Sequence, residues 1–93
     1  MKNTVEPEEL TELEEKTSSG KVLILHNDDW NTFQHVEKCL ISICKHSPNQ
    51  AAQVSLIVHY RGKCDIKKGD ESKLKKMYNK LKAENLSVTI EEN

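Results

Sequence analysis

The sequence predicts an α+β fold: a compact βααβαβ domain in which a three-stranded antiparallel sheet carries helices packed on one face. Three observations predict it. Four consecutive aliphatics, Val22-Leu23-Ile24-Leu25, form a run too short for a helix and apolar on both sides, as a buried strand requires. Leu86, Val88 and Ile90 alternate with Ser87, Thr89 and Glu91, the period of a half-exposed strand. Between these two stretches the apolar spacing adopts the helical period of 3.6 residues in three separate segments.

In chain order, Lys21 to His26 is the first strand, broken by Asn27-Asp28-Asp29, whose side chains compete for local backbone groups and favour turns. Thr32 is placed as an N-cap. Phe33, Val36, Leu40, Ile43 and Cys44 then recur at helical spacing to about Lys45, with Cys39 flanking the stripe. Ser47-Pro48-Asn49-Gln50 combines an N-cap Ser, Pro at the first helical position and Gln completing a capping box. This second helix is expected to turn Ala51, Val54, Ile57 and Val58 inward, to run to about His59, and to end near Gly62. Lys63 to Lys67 reads as a short strand followed by a turn at Lys68-Gly69. Asp70 caps a third helix with Leu74, Met77, Tyr78 and Leu81 on one side, closed by Asn85 before the last strand.

The chain's 93 residues make one domain near the lower size limit for a self-sufficient core. Apolar residues at 35% and charged residues at 31% are an unfavourable balance unless part of the chain is tail. The charges divide accordingly. Residues 1–20 hold six Glu and two Lys, whereas residues 21–93 hold nine acids and twelve bases. A flexible acidic extension over 1–20 and a mildly basic domain over 21–93 are therefore expected. Val5, Leu10 and Leu13 are too few to offset the entropy of ordering that extension, although Glu8 to Lys16 could form a transient helix. A solubilising tail and a partner-engaging segment fit it equally.

The three cysteines, Cys39, Cys44 and Cys64, lack C-x-x-C spacing, and neither a signal peptide nor a long apolar segment is visible. Reduced thiols in a cytoplasmic protein without a membrane anchor are expected. A zinc set could be drawn from these with His35 and His46, but buried structural thiols fit the spacing better, so no metal and no cofactor are expected. The third helix carries Lys73, Lys75, Lys76, Lys80 and Lys82 without an aromatic platform or arginine cluster, which reads as a solvated face rather than a nucleic-acid surface.

The chemistry concentrates in KVLILHNDDWNTFQHV, Lys21 to Val36, where an apolar run stops at three strongly hydrogen-bonding side chains, two of them anionic. That pattern suits a site for a cationic ligand group beside an apolar pocket. Asp28, Asp29 and His59, with His26 nearby, could alternatively serve a small acid/base or metal-dependent hydrolase. No nucleophile motif or established metal spacing accompanies them, so an enzyme is not expected.

HNDDWNTFQHV, followed by QAAQVSLIVHYRGK and a terminal VTIE strand, resembles the ClpS family over roughly Lys21 to Glu91. The pairing of the NDD turn with VHY-x-GK at this separation is what makes the resemblance specific. It implies an adaptor of the N-end rule pathway, a monomer that binds N-degron proteins and delivers them to the N-terminal domain of a Clp AAA+ unfoldase of the ClpA or ClpC type, and so to ClpP. By resemblance, Asn27, Asp28 and His59 hold the substrate α-amino group. Asp29 faces the peptide backbone or orders the turn, and Asn31 sits at the pocket mouth. Phe33, Val36, Ser55, Val58 and Leu86 line the side-chain pocket, while Glu71 and Lys76 contact the unfoldase. Ordinary core packing is the other reading of Val36, Val58 and Leu86. Phe33 and Ser55 stand where many members have Met, and Asn31 where Thr is frequent, which implies a reshaped pocket. A generic protein-interaction module on the same fold is the remaining alternative.

Overall fold

Lys21–His26 forms β1, the central one of three strands in the sheet of this computed structural model, which describes residues 20–93. The extension expected over residues 1–20, with its transient helix, lies outside the described residues apart from Gly20. Strand β2, Lys63–Gly69, runs antiparallel to β1 from Lys21↔Gly69 to His26↔Lys63. Strand β3, Ser87–Glu92, runs antiparallel along its other edge from Lys21↔Glu92 to His26↔Ser87. With a partner on each side, β1 can afford to be aliphatic throughout, and Val22 to Leu25 are all buried.

Between Leu23 and Ile24 the β2 register jumps from Lys67 to Asp65, a bulge that inserts Ile66 as an extra residue and leaves it 6% exposed in the core. The turn expected at Lys68-Gly69 is not there. Both residues continue β2, opposite Val22 and Lys21, because β1 begins early enough to pair with them. The change of direction falls to Gly69, at φ 156°, and the Asp70 cap that follows.

Helix α1, Phe33–Cys44, starts where Thr32 Oγ1 accepts the His35 N–H at 3.1 Å. Helix α2, Pro48–Arg61, starts in the expected capping box, with Gln50 N–H donating to Ser47 Oγ at 3.1 Å and Ser47 N–H donating to Gln50 Oε1 at 2.9 Å. It extends two residues past His59 before Gly62, at φ 94°, closes it. Its buried positions are Ala51, Ser55 and Val58. Ile57, expected inward, is exposed, since 51, 55 and 58 fall on one face and residue 57 lies about a third of a turn off its centre. Helix α3, Glu71–Ala83, is capped by Asp70 Oδ1 accepting the Lys73 N–H. It ends in a Schellman turn: Asn85, at φ 67°, donates to the Lys82 carbonyl at 2.9 Å, and Leu86 donates to the Leu81 carbonyl at 3.1 Å.

Leu23 and Leu25 meet Leu40, Cys44, Ala51, Val58, Leu74, Leu81, Leu86 and Val88 in one core between sheet and helices. Each fully buried Leu contributes about 1.5–3 kcal/mol relative to exposure. The fold is thus the expected βααβαβ domain, and its consequence for function is that the end of β1 emerges between α1 and the C-terminal end of α2.

Candidate functional site

Asn27 leaves β1 with its N–H bonded to the Gly62 carbonyl at 2.8 Å, which ties the polar break to the end of α2. Asp28 then folds the turn around its own carboxylate. Oδ1 accepts from the N–H groups of Trp30 at 3.1 Å and Asn31 at 2.9 Å. Oδ2 accepts from Asn31 Nδ2 at 2.7 Å and lies 3.5 Å from the Ser87 hydroxyl. The Asn85 carbonyl, at the end of α3, receives both Asn31 Nδ2 at 2.9 Å and Trp30 Nε1 at 3.0 Å. The residue ordering this turn is therefore Asp28, with Asn31 as its relay, whereas Asp29 is exposed and outside the network. A carboxylate offers about four acceptor sites; three are taken at 2.7–3.1 Å, and the fourth is held only by the long 3.5 Å contact of the Ser87 hydroxyl, which a ligand donor can replace.

Behind the turn lies a cavity of about 30 Å³ lined by Leu25, His26, Asn27, Asp28, Asn31, Phe33, Val36, Ser55 and Val58. Its polar edge is the turn, and its apolar walls come from β1, α1 and α2. Ser55 is 3% exposed, and among the described residues its hydroxyl has no hydrogen-bond partner. Phe33 is 43% exposed at the mouth. Its ring packs edge-on against His59, with centroids 5.4 Å apart at 77°. His59 itself is exposed and also meets Tyr60 edge-on.

Asn27, Asp28, Asn31, Phe33, Val36, Ser55 and Val58 thus converge on one cavity, and His59 stands beside its Phe33 wall. Leu86 does not line it: at 1% exposure it belongs to the core, drawn in by the Schellman turn that precedes it. Glu71 and Lys76 are both exposed on α3, Glu71 in a separate groove with Lys21, Lys75 and Tyr78. Leu25 and His26 were not foreseeable as lining. The first is indistinguishable from its aliphatic neighbours in sequence, and the second is a strand terminus whose Nε2 shares a 2.8 Å hydrogen bond with Thr89 Oγ1.

The cysteines are free thiols, with Cys39 and Cys44 buried. Burial pushes the Cys44 thiol up to about 11, and burial is also the main cause raising Cys39 and Cys64. All three are protonated at neutral pH, the opposite of an activated nucleophile. His35 does not gather His46 and Cys64. Its neighbours are Cys39 and Glu84, away from the cavity lining.

Residues 16–89 match the family model described as ATP-dependent Clp protease adaptor protein ClpS. The chain belongs to the ClpS family. The ClpS adapter of Synechocystis sp. is 31% identical over 86 residues, covering 91% of this chain and 88% of the relative. That of Thermosynechococcus vestitus is 32% identical over 82 residues, 84% of each. Among solved structures, Agrobacterium tumefaciens ClpS2 bound to L-phenylalaninamide superposes with a TM-score of 0.69 over 81% of this chain and 98% of that one. At 20% identity that likeness establishes a common fold. Family membership makes the chain an adaptor of the Clp protease machinery. Among the described residues no helix is long and apolar enough to cross a membrane.

Proposed function

We propose that this ClpS-family chain binds the free α-amino group and bulky apolar side chain of a substrate's N-terminal residue and delivers that substrate to a Clp AAA+ unfoldase. The observation that carries the proposal is the composite cavity, where Asn27 and Asp28 meet Phe33, Val36 and Val58. A free α-amino group has a reference pKa of about 7.7–8.0 and is largely cationic at neutral pH. The Asn27 side-chain carbonyl, the Asp28 acceptor held only by the long Ser87 contact and a ring nitrogen of His59 supply acceptors for its three donors. The ligand in Agrobacterium tumefaciens ClpS2, L-phenylalaninamide, combines such an amine with an aromatic side chain, which supports the same pairing here.

A cavity of about 30 Å³ holds little more than a water molecule, so entry of a Leu or Phe side chain displaces the Phe33 ring. That cost is modest, because Phe33 is already 43% exposed and an edge contact like that with His59 is worth about 0.5–1.5 kcal/mol. Charge-assisted hydrogen bonds of about 1.5–3 kcal/mol each, with a buried side chain of similar worth, offset it. Glu71 and Lys76 on the exposed face of α3 contact the unfoldase N-terminal domain, and the adaptor acts as a cytoplasmic monomer.

Fluorescence anisotropy with Leu-, Phe- and Met-initiated peptides, each free and N-acetylated, tests the proposal. The free Leu and Phe peptides should bind, the Met peptide hardly at all, and acetylation should abolish binding by removing the cation. Affinity that survives acetylation would replace the α-amino site with a generic protein-interaction surface.

A further inference from the structure

His35 and Cys39 are four residues apart on α1, so their side chains lie one above the other on one face. Glu84, at the C-terminal cap of α3, meets that face. His35 Nε2 lies 3.7 Å from Cys39 Sγ, 3.8 Å from Glu84 Oε1 and 2.9 Å from the Glu84 carbonyl oxygen. The three donor atoms are all within 4.8 Å of one another, the one such convergence of His, Cys and carboxylate groups among the described residues. We propose that His35, Cys39 and Glu84 form a binding site for a borderline-soft divalent cation, best matched by Zn²⁺.

The spacing is close to what coordination needs. Bond lengths of about 2.0–2.1 Å to nitrogen, 2.3 Å to sulfur and 2.0–2.2 Å to oxygen place tetrahedral N···S and N···O pairs roughly 3.4–3.6 Å apart. The two pairs made by His35 Nε2 need to close by only a few tenths of an ångström, and the Cys39–Glu84 pair, within 4.8 Å, by at most about 1.2 Å, a movement open to the exposed Glu84 side chain. A thiolate, a carboxylate and a neutral imidazole together balance two positive charges, so the loaded site is electrically neutral. The Cys39 thiol is 3% exposed, and a groove of about 180 Å³ lined by His35, Lys38, Cys39, Ser42, Ile43 and Glu84 gives access to it. That volume leaves room for a water as fourth ligand, the open arrangement of three protein ligands plus solvent. Among the described residues Lys38 is the one lysine or arginine lining the groove, and its long stem lets the ammonium swing into solvent.

Binding replaces the thiol S–H bond with a metal–sulfur bond and releases one proton to solvent. It also frees His35 Nε2 from the Glu84 carbonyl, the imidazole proton passing through solvent from Nε2 to Nδ1 so that the ligated ring stays neutral. The metal would join α1, which carries Phe33 and Val36, to the turn whose Asn85 carbonyl braces Trp30 and Asn31. Occupancy should therefore stabilise the folded chain. Neither the site nor its test depends on peptide binding.

The full chain, kept reduced with a phosphine and freed of metal, is titrated with Co²⁺ while the thiolate-to-cobalt charge-transfer band is recorded. One equivalent should saturate the band, Zn²⁺ should displace it, and one equivalent of Zn²⁺ should raise the melting temperature. Cys39→Ser should lose the band. His35→Gln and Glu84→Gln, both in partly exposed or exposed side chains that leave the core intact, should weaken Co²⁺ binding by at least about tenfold, the lower end of what losing even an outer-shell partner costs. Cys64→Ser should leave it unchanged. No band in the unaltered chain, a band that His35→Gln and Glu84→Gln both leave intact, or one lost with Cys64→Ser would overturn the site.

Discussion

Asp28 combines two duties that single substitutions separate. Its Oδ1 receives two backbone N–H groups, and its charge is available to a ligand amine. Asp28→Asn keeps a neutral Oδ1 for the turn but removes the charge. The expected outcome is a stability loss of about 1 kcal/mol in thermal denaturation and roughly tenfold weaker binding of a free Leu peptide, the difference between charged and neutral hydrogen bonds. Unchanged affinity would take Asp28 out of the ammonium site. At Ser55, an orphaned buried hydroxyl carries a desolvation penalty, so Ser55→Ala should raise stability by about 1 kcal/mol. Ser55→Met instead fills the floor of the cavity, and binding of an N-terminal residue panel should shift away from the largest aromatics; an identical ranking would show that Ser55 does not set pocket shape. The residue types of this site are legible in sequence, but their division of labour is not. Adjacent carboxylates at Asp28 and Asp29 look alike until the turn selects one.

Among the elements, α2 shows how an end can position a site. Gly62 closes the helix at φ 94°, and its carbonyl holds the Asn27 N–H. A Cβ there would meet nothing within 4 Å, so Gly62→Ala carries only the left-handed backbone penalty, about 1 kcal/mol. Urea denaturation should show a loss of that size, and a loss several times larger would mean that the turn collapses with the cap. The caps at Thr32, Ser47 and Asp70 are legible because an N-cap needs only its own side chain and the next three residues. The end of β2 is not, because Lys68 and Gly69 join a strand only when Val22 and Lys21 are alongside.

At the scale of the whole molecule, His46 links the α1–α2 connection to the sheet. Burial is the main cause that lowers its pKa below the ordinary 6.5, reinforced by Lys67 on β2 and opposed by backbone hydrogen bonding at Leu40 and Ile66. The unfolded chain therefore takes up the proton first as pH falls. The stability that His46 contributes is complete above the unfolded pKa and is lost as pH drops through 6.5 toward the lower folded value. Urea denaturation from about pH 7 to about pH 5 should show declining stability, with His46→Gln flattening that part of the decline. A profile identical in the two proteins would assign the dependence to other groups. By itself the sequence determined the order of strands and helices, most of their ends, and the residue types of the candidate site. Periodicity, capping and turn preference are local, acting over a few residues. Only the tertiary structure decided that Asp28 orders the turn, that Leu86 belongs to the core, and that Cys39 and His35 meet Glu84. Each of those outcomes depends on the packing of α1 against the end of α3 and on the register of β3 along β1, distances between segments far apart in the chain that no local pattern encodes.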